Sequence, residues 1–366
     1  MDERKLLTRL FRYIQIDSES GSEGRMCSAV MEDLKGMGLS PVQDRVGEAI
    51  GSDGGNIYCM IPGELPGSPL LLTAHLDTVR PGRNIEPVLV DQLISSKGGT
   101  VLGGDDKSGV ALIMELLDCV RTKKIPHRSL EVLFTVSEEV GLKGSQYFDY
   151  SILQSDQAIV MDSQGGFGDI KLWASGKNKL FFDVYGKAAH AGANPEDGVS
   201  AISVAAKAIS DMKLLRIDEE TTANIGSFIA EGSTNIVNAH VRFDAEVRSF
   251  SLDKLQAQCD HMIQCVQAAC GKHGATCQYM VEEGGRPYRI SEDHPLVKEL
   301  TEFCKRMNIP YRTFGDGGGS DANNLALHGI TAVALGCGMD KIHTANEILN
   351  KDIYLQAANA LLDFIT

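Results

Sequence analysis

The stretch FTVSEEVGLKG, residues 134–144, sets the terms of the fold. An apolar run from Leu130 to Val136 reads as a buried strand. It ends in two adjacent carboxylates, Glu138 and Glu139, followed by glycine. Read alone, such a pair belongs to a solvated helix start, where carboxylates favour the positive end of the dipole. Two like charges closing a buried strand otherwise need a cation to hold them together, and the rest of the chain must supply that site.

Around this stretch, strand-like runs alternate with helical patterns. In the N-terminal segment Leu6, Leu7, Leu10, Phe11 and Ile14 mark one face of a helix. A second helix is read in SEGRMCSAVMEDLKGMGLS. Strands follow at NIYCMIPG and PLLLTAHLD, then a helix from about Lys107 to Arg121, the strand ending at the glutamates, and the strand QAIVMDS. From about Ala174 the order becomes strand, helix, two strands, helix, strand, a split-βαβ pattern. After GGRPYR the first rhythm resumes and closes with the helix KDIYLQAANALLDFI. The expected fold class is α/β, with a mixed, mostly parallel sheet in a catalytic domain of residues 1–173 and 286–366. A βαββαβ (ferredoxin-like) lid of residues 174–285 is inserted into it.

Composition excludes several functions. The net charge of −14 argues against nucleic acid as a partner, because phosphate binding needs a basic surface. The most apolar helical stretch, Val110–Val120, contains Glu115 and Asp118, which argues against a membrane span. The first fifteen residues have no continuous apolar core, so they do not read as a secretory signal. The nine cysteines include no C-x-x-C pair, which points away from a disulfide framework or a thiolate zinc site. A cytoplasmic location is the resulting expectation.

Five segments place compact polar groups at strand ends or turns. In LLLTAHLDTV, His75 and Asp77 share a strand face, so Asp77 can support the imidazole from behind while the other ring nitrogen meets a metal. In TVLGGDDKSG, Asp105 and Asp106 stand in a glycine-flanked turn before a helix, where an N-capping role is the plain alternative. Glu138 and Glu139 form the third group. Asp162 in AIVMDSQGG and His343 in DKIHTANE complete the set; each also reads as an ordinary turn or surface residue. Open α/β sheets bind ligands at the carboxyl ends of their strands. Histidines with hard carboxylates suit divalent zinc, manganese or cobalt, and one carboxylate can bridge two ions. One glutamate would then bind metal and the other would take a proton from the attacking water.

Taken in order, TAHLDTV, LGGDDKSGVA, FTVSEEVG, MDSQGG and IHTANE resemble the signature of the M20 family of dinuclear zinc metallopeptidases. GKAAHAGANPEDGVSAI resembles that family's dimerisation domain, and TVLGGDDKSG with KKIPH resembles its tripeptide aminopeptidase (peptidase T) branch. The resemblance implies two Zn(2+) per subunit, with His75 and Asp162 on one ion, Glu139 and His343 on the other, and Asp105 bridging. It implies a cis Asp105–Asp106 bond, Glu138 as general base and Asp77 as the partner of His75. It further implies a homodimer formed through the lid, and small peptides as substrates.

For substrate binding, HVRFDAEVRSF puts Val241, Phe243, Ala245 and Val247 on one face and Arg242, Asp244, Glu246 and Arg248 on the other. Arg248 reads as a salt-bridged strand residue or, by the resemblance, as a clamp for a substrate carboxylate. FGDGGGSDANN lacks G-K-S/T and so is not a P-loop; amides at Gly318, Gly319 and Ser320 could hold a carboxylate at the helix start. By the resemblance, His190 and Asn235 complete the site, His190 as the donor to the oxyanion. Two alternatives stay open: an M20 carboxypeptidase or N-acyl-amino-acid amidohydrolase, and a catalytically silent metal-binding scaffold.

Overall fold

The computed structural model describes residues 1–366, which divide into two compact units. The larger comprises Met1–Trp173, Arg289–Asp316 and Ser320–Thr366; the smaller comprises Ala174–Tyr288 and Gly317–Gly319.

The centre of the larger unit is a run of four parallel strands. Arg128–Thr135 pairs with Leu65–His75, which pairs with Gln157–Ser163, which pairs with Thr331–Gly336. Antiparallel strands flank them, Ile57–Ile61 on one side and Asp169–Ala174 on the other. The parallel strands are buried on both faces, which is why they read as near-continuous apolar runs. Leu70, Leu72, Leu130, Val132 and Ile159 are fully buried there, against the helices Glu3–Ile14 and Gly104–Lys123. Of the N-terminal helix's predicted apolar face, Leu6, Leu10 and Ile14 are buried with Tyr13, while Leu7 and Phe11 are partly covered.

Parallel alignment has one consequence for function: the carboxyl ends of all four strands lie along one edge of the sheet. His75 ends the second strand and is paired with Thr135 of the first, three residues before Glu138. Asp162 stands near the end of the third, where Ser163 pairs with Gly336 of the fourth. A second sheet went unread in the sequence. Its strands are Met339–Asp340, Ile348–Asn350, Leu93–Ser96 and Pro87–Val90, each only two to four residues long, and too short to carry a period-2 signal. His343 lies on the connection between its first two strands.

The smaller unit has the strand order Leu215–Arg216, Thr221–Ile229, His240–Ser249, Gly176–Tyr185, Thr276–Glu283, antiparallel throughout. Helices Ala201–Asp211 and Leu252–His273 supply its core with Val204, Ala205, Leu255, Met262 and Val266. Without the short two-residue strand, this is the βαββαβ pattern in ferredoxin-like order. Val241, Phe243, Ala245 and Val247 face the core, and Phe182 stacks on Phe243 at 4.8 Å between ring centres. No helix of the protein is long and apolar enough to cross a membrane.

Candidate metal centre

His75 is buried between two carboxylates. Its Nδ1 lies 3.0 Å from the Asp77 carbonyl oxygen and 3.4 Å from Asp77 Oδ1, and its Nε2 lies 3.1 Å from Asp105 Oδ1. Asp77 therefore stands behind the ring and Asp105 in front of it. Asp77 also accepts hydrogen bonds from the Glu138 amide at 2.9 Å, the Glu139 amide at 3.2 Å and the Ser20 hydroxyl at 2.6 Å. Those amide bonds fix how the paired glutamates leave their strand. Burial pushes the Asp77 carboxyl up, but His75, Ser20 and the Glu138 amide overcome it and hold it below the usual range.

The two adjacent aspartates divide two tasks between them. Asp105 (φ −80°, ψ 103°) and Asp106 (φ −120°, ψ 31°) are non-helical, and the peptide between them is cis. Asp106 accepts from the Gly109 amide at 3.1 Å and from the His75 amide at 3.3 Å, so it caps the helix and ties it to the strand. A Cβ at position 109 would come within 2.4 Å of Asp106 Oδ1, which explains the glycine of DDKSG. Asp105 is the one that faces the site. Its Oδ1 meets His75 and its Oδ2 lies 3.2 Å from His343 Nε2.

Glu347, which sequence reading passed over although it closes the quoted segment DKIHTANE, is buried. It accepts from the amides of Leu102 at 2.8 Å, Gly103 at 2.9 Å and Asp105 at 3.0 Å, and so shapes the turn that presents Asp105. Asp321 was also missed. It is buried and accepts from Thr135 Oγ1 and, at 2.5 Å, from Ser145 Oγ. Neither had a local signal beyond being an acid beside a motif.

Three groups of donors converge: His75, Asp105 and Asp162; Asp105, Glu139 and His343; and His75, Glu138 and Glu139, with the ligand atoms of each group within 4.8 Å of one another. Glu139 Oε2 lies 2.9 Å from His343 Nε2, while its Oε1 is buried without a hydrogen-bond partner. A buried carboxylate oxygen left unpaired is costly, and a cation would satisfy it.

The charge states point the same way. Burial, then the Asp105 charge, raises Asp162 to about 7. Burial, then Asp162 and Glu139, raises Glu138 well above the usual carboxyl range. Hydrogen bonds to Asp105 and Glu139 raise His343 to about 10. Burial lowers His75, but Asp105 and Asp77 more than reverse it. Glu138 and Asp162 resist ionising while His75 and His343 hold their protons against the ionised Asp77 and Asp105, the balance of a cluster with more acid than base. The residues fit divalent cations: imidazole with hard carboxylate oxygens, buried and convergent.

In the smaller unit His190 and Asn235 are exposed, and Arg248 is partly buried. His190 Nδ1 accepts from the amides of Gly192 at 3.2 Å and Ala193 at 3.0 Å, so the neutral ring carries its proton on Nε2. The Asn235 carbonyl accepts from the Ala191 amide at 2.9 Å, which ties the two turns together. Arg248 donates from Nε to Glu246 Oε1 at 2.6 Å and from Nη1 to the Gly317 carbonyl at 2.6 Å.

The glycine-rich loop brings a correction. Gly318 and Gly319 are exposed, but Ser320 is buried and its amide donates to Asn323 Oδ1 at 3.0 Å. Its hydroxyl accepts from the Ala322 amide at 3.4 Å. This reciprocal cap of the helix Asp321–Leu327 uses the amide that sequence reading had left open at Ser320.

Comparison with known proteins gives a consistent picture. Residues 71–366 match the sequence profile of Peptidase family M20/M25/M40. Over 365 residues the chain is 34% identical to the uncharacterized protein YqjE of Bacillus subtilis (strain 168), covering 100% of this chain and 98% of the relative. It is 24% identical to peptidase T of Escherichia coli (strain K12), with 94% of each covered. Among solved structures, aminopeptidase PepT from Bacillus cereus ATCC 10987 is 34% identical with a TM-score of 0.91. A tripeptidase from Staphylococcus aureus subsp. aureus Mu50 is also 34% identical, with a TM-score of 0.95. Each comparison covers 100% of this chain and 98% of the solved one.

Proposed function

This chain belongs to peptidase family M20/M25/M40 and is a metal-dependent peptide hydrolase, and from that premise we propose an aminopeptidase of small peptides that works with two zinc ions. The observation that carries the two-ion reading is Asp105. Its two oxygens are turned to two different histidines, 3.1 Å from His75 Nε2 and 3.2 Å from His343 Nε2. His75 and Asp162 would hold one ion, Glu139 and His343 the other, and Asp105 both.

When bound, the ions supply Lewis-acid polarisation of the scissile carbonyl and make water a better nucleophile. The chain's own residues do the rest. Glu138, buried beside this cluster, takes the proton of the attacking water and passes it to the leaving amine. Asp77 orients His75 through its carbonyl oxygen and its nearby carboxylate, and the same carboxylate holds the Glu138 amide, so base and ligand are positioned by one residue. His190 offers a fixed Nε2–H to the developing oxyanion, because its Nδ1 is already occupied by two amides. Arg248 receives the substrate's terminal carboxylate.

The same reading assigns a homodimer formed through the smaller unit, in which His190 serves the partner's site. The strand Thr276–Glu283 supports it: it is paired on one side only and exposes Tyr279 and Met280. A cytoplasmic location is supported by nine cysteines that are all unpaired.

The test is a metal-reconstituted protein assayed on di- and tripeptides with free or blocked ends. Free-amine tripeptides should be cleaved at the first bond with two ions bound per chain. Preferential cleavage of N-acylated peptides, or release of the last residue first, would overturn the aminopeptidase reading.

A further inference from the structure

Two arginine–acid pairs stand on the outward face of the strand His240–Ser249. Arg242 Nε lies 3.3 Å from Asp244 Oδ1, and Arg248 Nε lies 2.6 Å from Glu246 Oε1. They differ in what else the guanidinium does. Arg248 also donates from Nη1 to the Gly317 carbonyl, and that carbonyl accepts a second bond from Ser175 Oγ at 2.8 Å. The tripeptide Gly317–Gly319 groups with the smaller unit although its neighbours in sequence on both sides belong to the larger.

We propose that Glu246 and the Gly317 carbonyl are exchange partners of Arg248: they hold its guanidinium between turnovers and take it back from the product. The inference rests on Arg248 as the clamp for a substrate carboxylate. A guanidinium has five N–H groups, and two are used here. A substrate carboxylate is a stronger acceptor than a peptide carbonyl, so it displaces Gly317 from Arg248. Ser175 keeps its bond to Gly317, so the displaced carbonyl is not left without a donor.

Release poses the harder problem. When an aminopeptidase removes the first residue, the shortened product keeps the same terminal carboxylate, so a clamp that binds substrate also binds product. The Glu246 charge lowers the net pull of Arg248 on that carboxylate, and the Gly317 carbonyl waits as its replacement. Glu246 thus acts through Arg248 as a positioning residue that sets how readily product leaves. Asp244 has no such part, since no bond from Arg242 to this loop accompanies its pair.

The experiment uses the metal-loaded full chain and the isosteric variant Glu246→Gln, which keeps an acceptor but removes the charge. Pairs exposed by about a third, as this one is, are worth up to about 1 kcal/mol, or roughly fivefold in an equilibrium. For tripeptides with a free C-terminus, KM should fall about three- to fivefold. Inhibition by the free dipeptide product should tighten by the same factor. C-amidated substrate and product should respond as in the parent, and Asp244→Asn should change nothing. Unchanged or raised KM and inhibition constants in Glu246→Gln would overturn the proposal. Arg248→Ala separates this from failure of the clamp. If it raises KM for free peptides and spares amidated ones, the clamp stands and Glu246 is judged alone. If it affects both equally, the clamp falls and the proposal with it.

Discussion

Asp77 and Glu246 are both carboxylates set beside a basic side chain, and the chain holds them very differently. Asp77 is buried and joins His75, two consecutive backbone amides and a serine hydroxyl. Glu246 is about one-third exposed and pairs with Arg248 alone among the bonds described above. The same contrast runs through their surroundings. Asp105, Asp106 and Glu347 lock the metal-side turn through buried amides, whereas His190 and Asn235 sit in exposed turns tied by backbone bonds. On the proposed roles, the groups that hold metal are over-determined, and the Arg248–Glu246 pair that would exchange partners in each cycle is lightly held.

Substitutions can break this contrast in order of expected size. Glu138→Gln should cost roughly 10²–10⁴-fold in kcat while metal content stays at the parent level, as removal of a general base does. Loss of metal with an unchanged rate per bound ion would exchange the roles of Glu138 and Glu139. His190→Ala should cost about 10²–10³-fold in kcat, the usual effect of removing an oxyanion donor. Refolding Glu138→Ala together with His190→Ala then tests where His190 acts. If it serves the partner's site, random pairing in a two-site dimer restores roughly one site in four; if it acts within its own chain, activity stays at the single-mutant level.

Glu347→Gln removes no proposed ligand, but metal affinity measured by competitive chelation should fall about 10–100-fold, because Glu347 accepts from the Asp105 amide and the turn carrying Asp105 loses its anionic acceptor. Parent-like affinity would show that Asp105 needs no such support. The smallest effect belongs to Asp244→Ala. Thermal unfolding should shift by less than about 1 kcal/mol, because its partner Arg242 is half-exposed. A larger loss would mean that the two pairs on this strand are more alike than their contacts suggest.

Regular elements were the legible part of the sequence. The alternation in His240–Ser249 gave the face of every residue from Val241 to Arg248, because a period of two is unambiguous in a half-buried strand. His75, Glu139 and Asp162 stood out as compact polar groups near the ends of apolar runs, whereas Asp105 in its turn and His343 in its loop also read as ordinary residues, and the five came together as a ligand set through the family resemblance. That Asp105 rather than Asp106 would turn inward came only from the family resemblance, since by local pattern either neighbour could have capped the helix. Glu347 and Asp321 were invisible for a different reason. Their partners are backbone amides and hydroxyls remote in sequence, and such acceptors have no pattern of their own. At Ser320 the serine three residues before Asn323 was a capping signal, and reading it as an open amide overlooked that local competition.

The bond from Glu347 to the Asp105 amide spans 242 residues, and this separation governs when the enzyme comes to life. A ribosome adding about 5–20 residues per second needs roughly 10–50 s to travel from one to the other. During that interval neither His343 nor Glu347 exists, so the turn bearing Asp105 has no anionic support and the second histidine is missing. A chain stalled before residue 343 should bind no second ion and cleave nothing, which ribosome-arrested chains assayed with tripeptide would reveal. A hydrolase made in this order should leave the peptides around it untouched until residues 343–347 have emerged and reached the turn at Asp105.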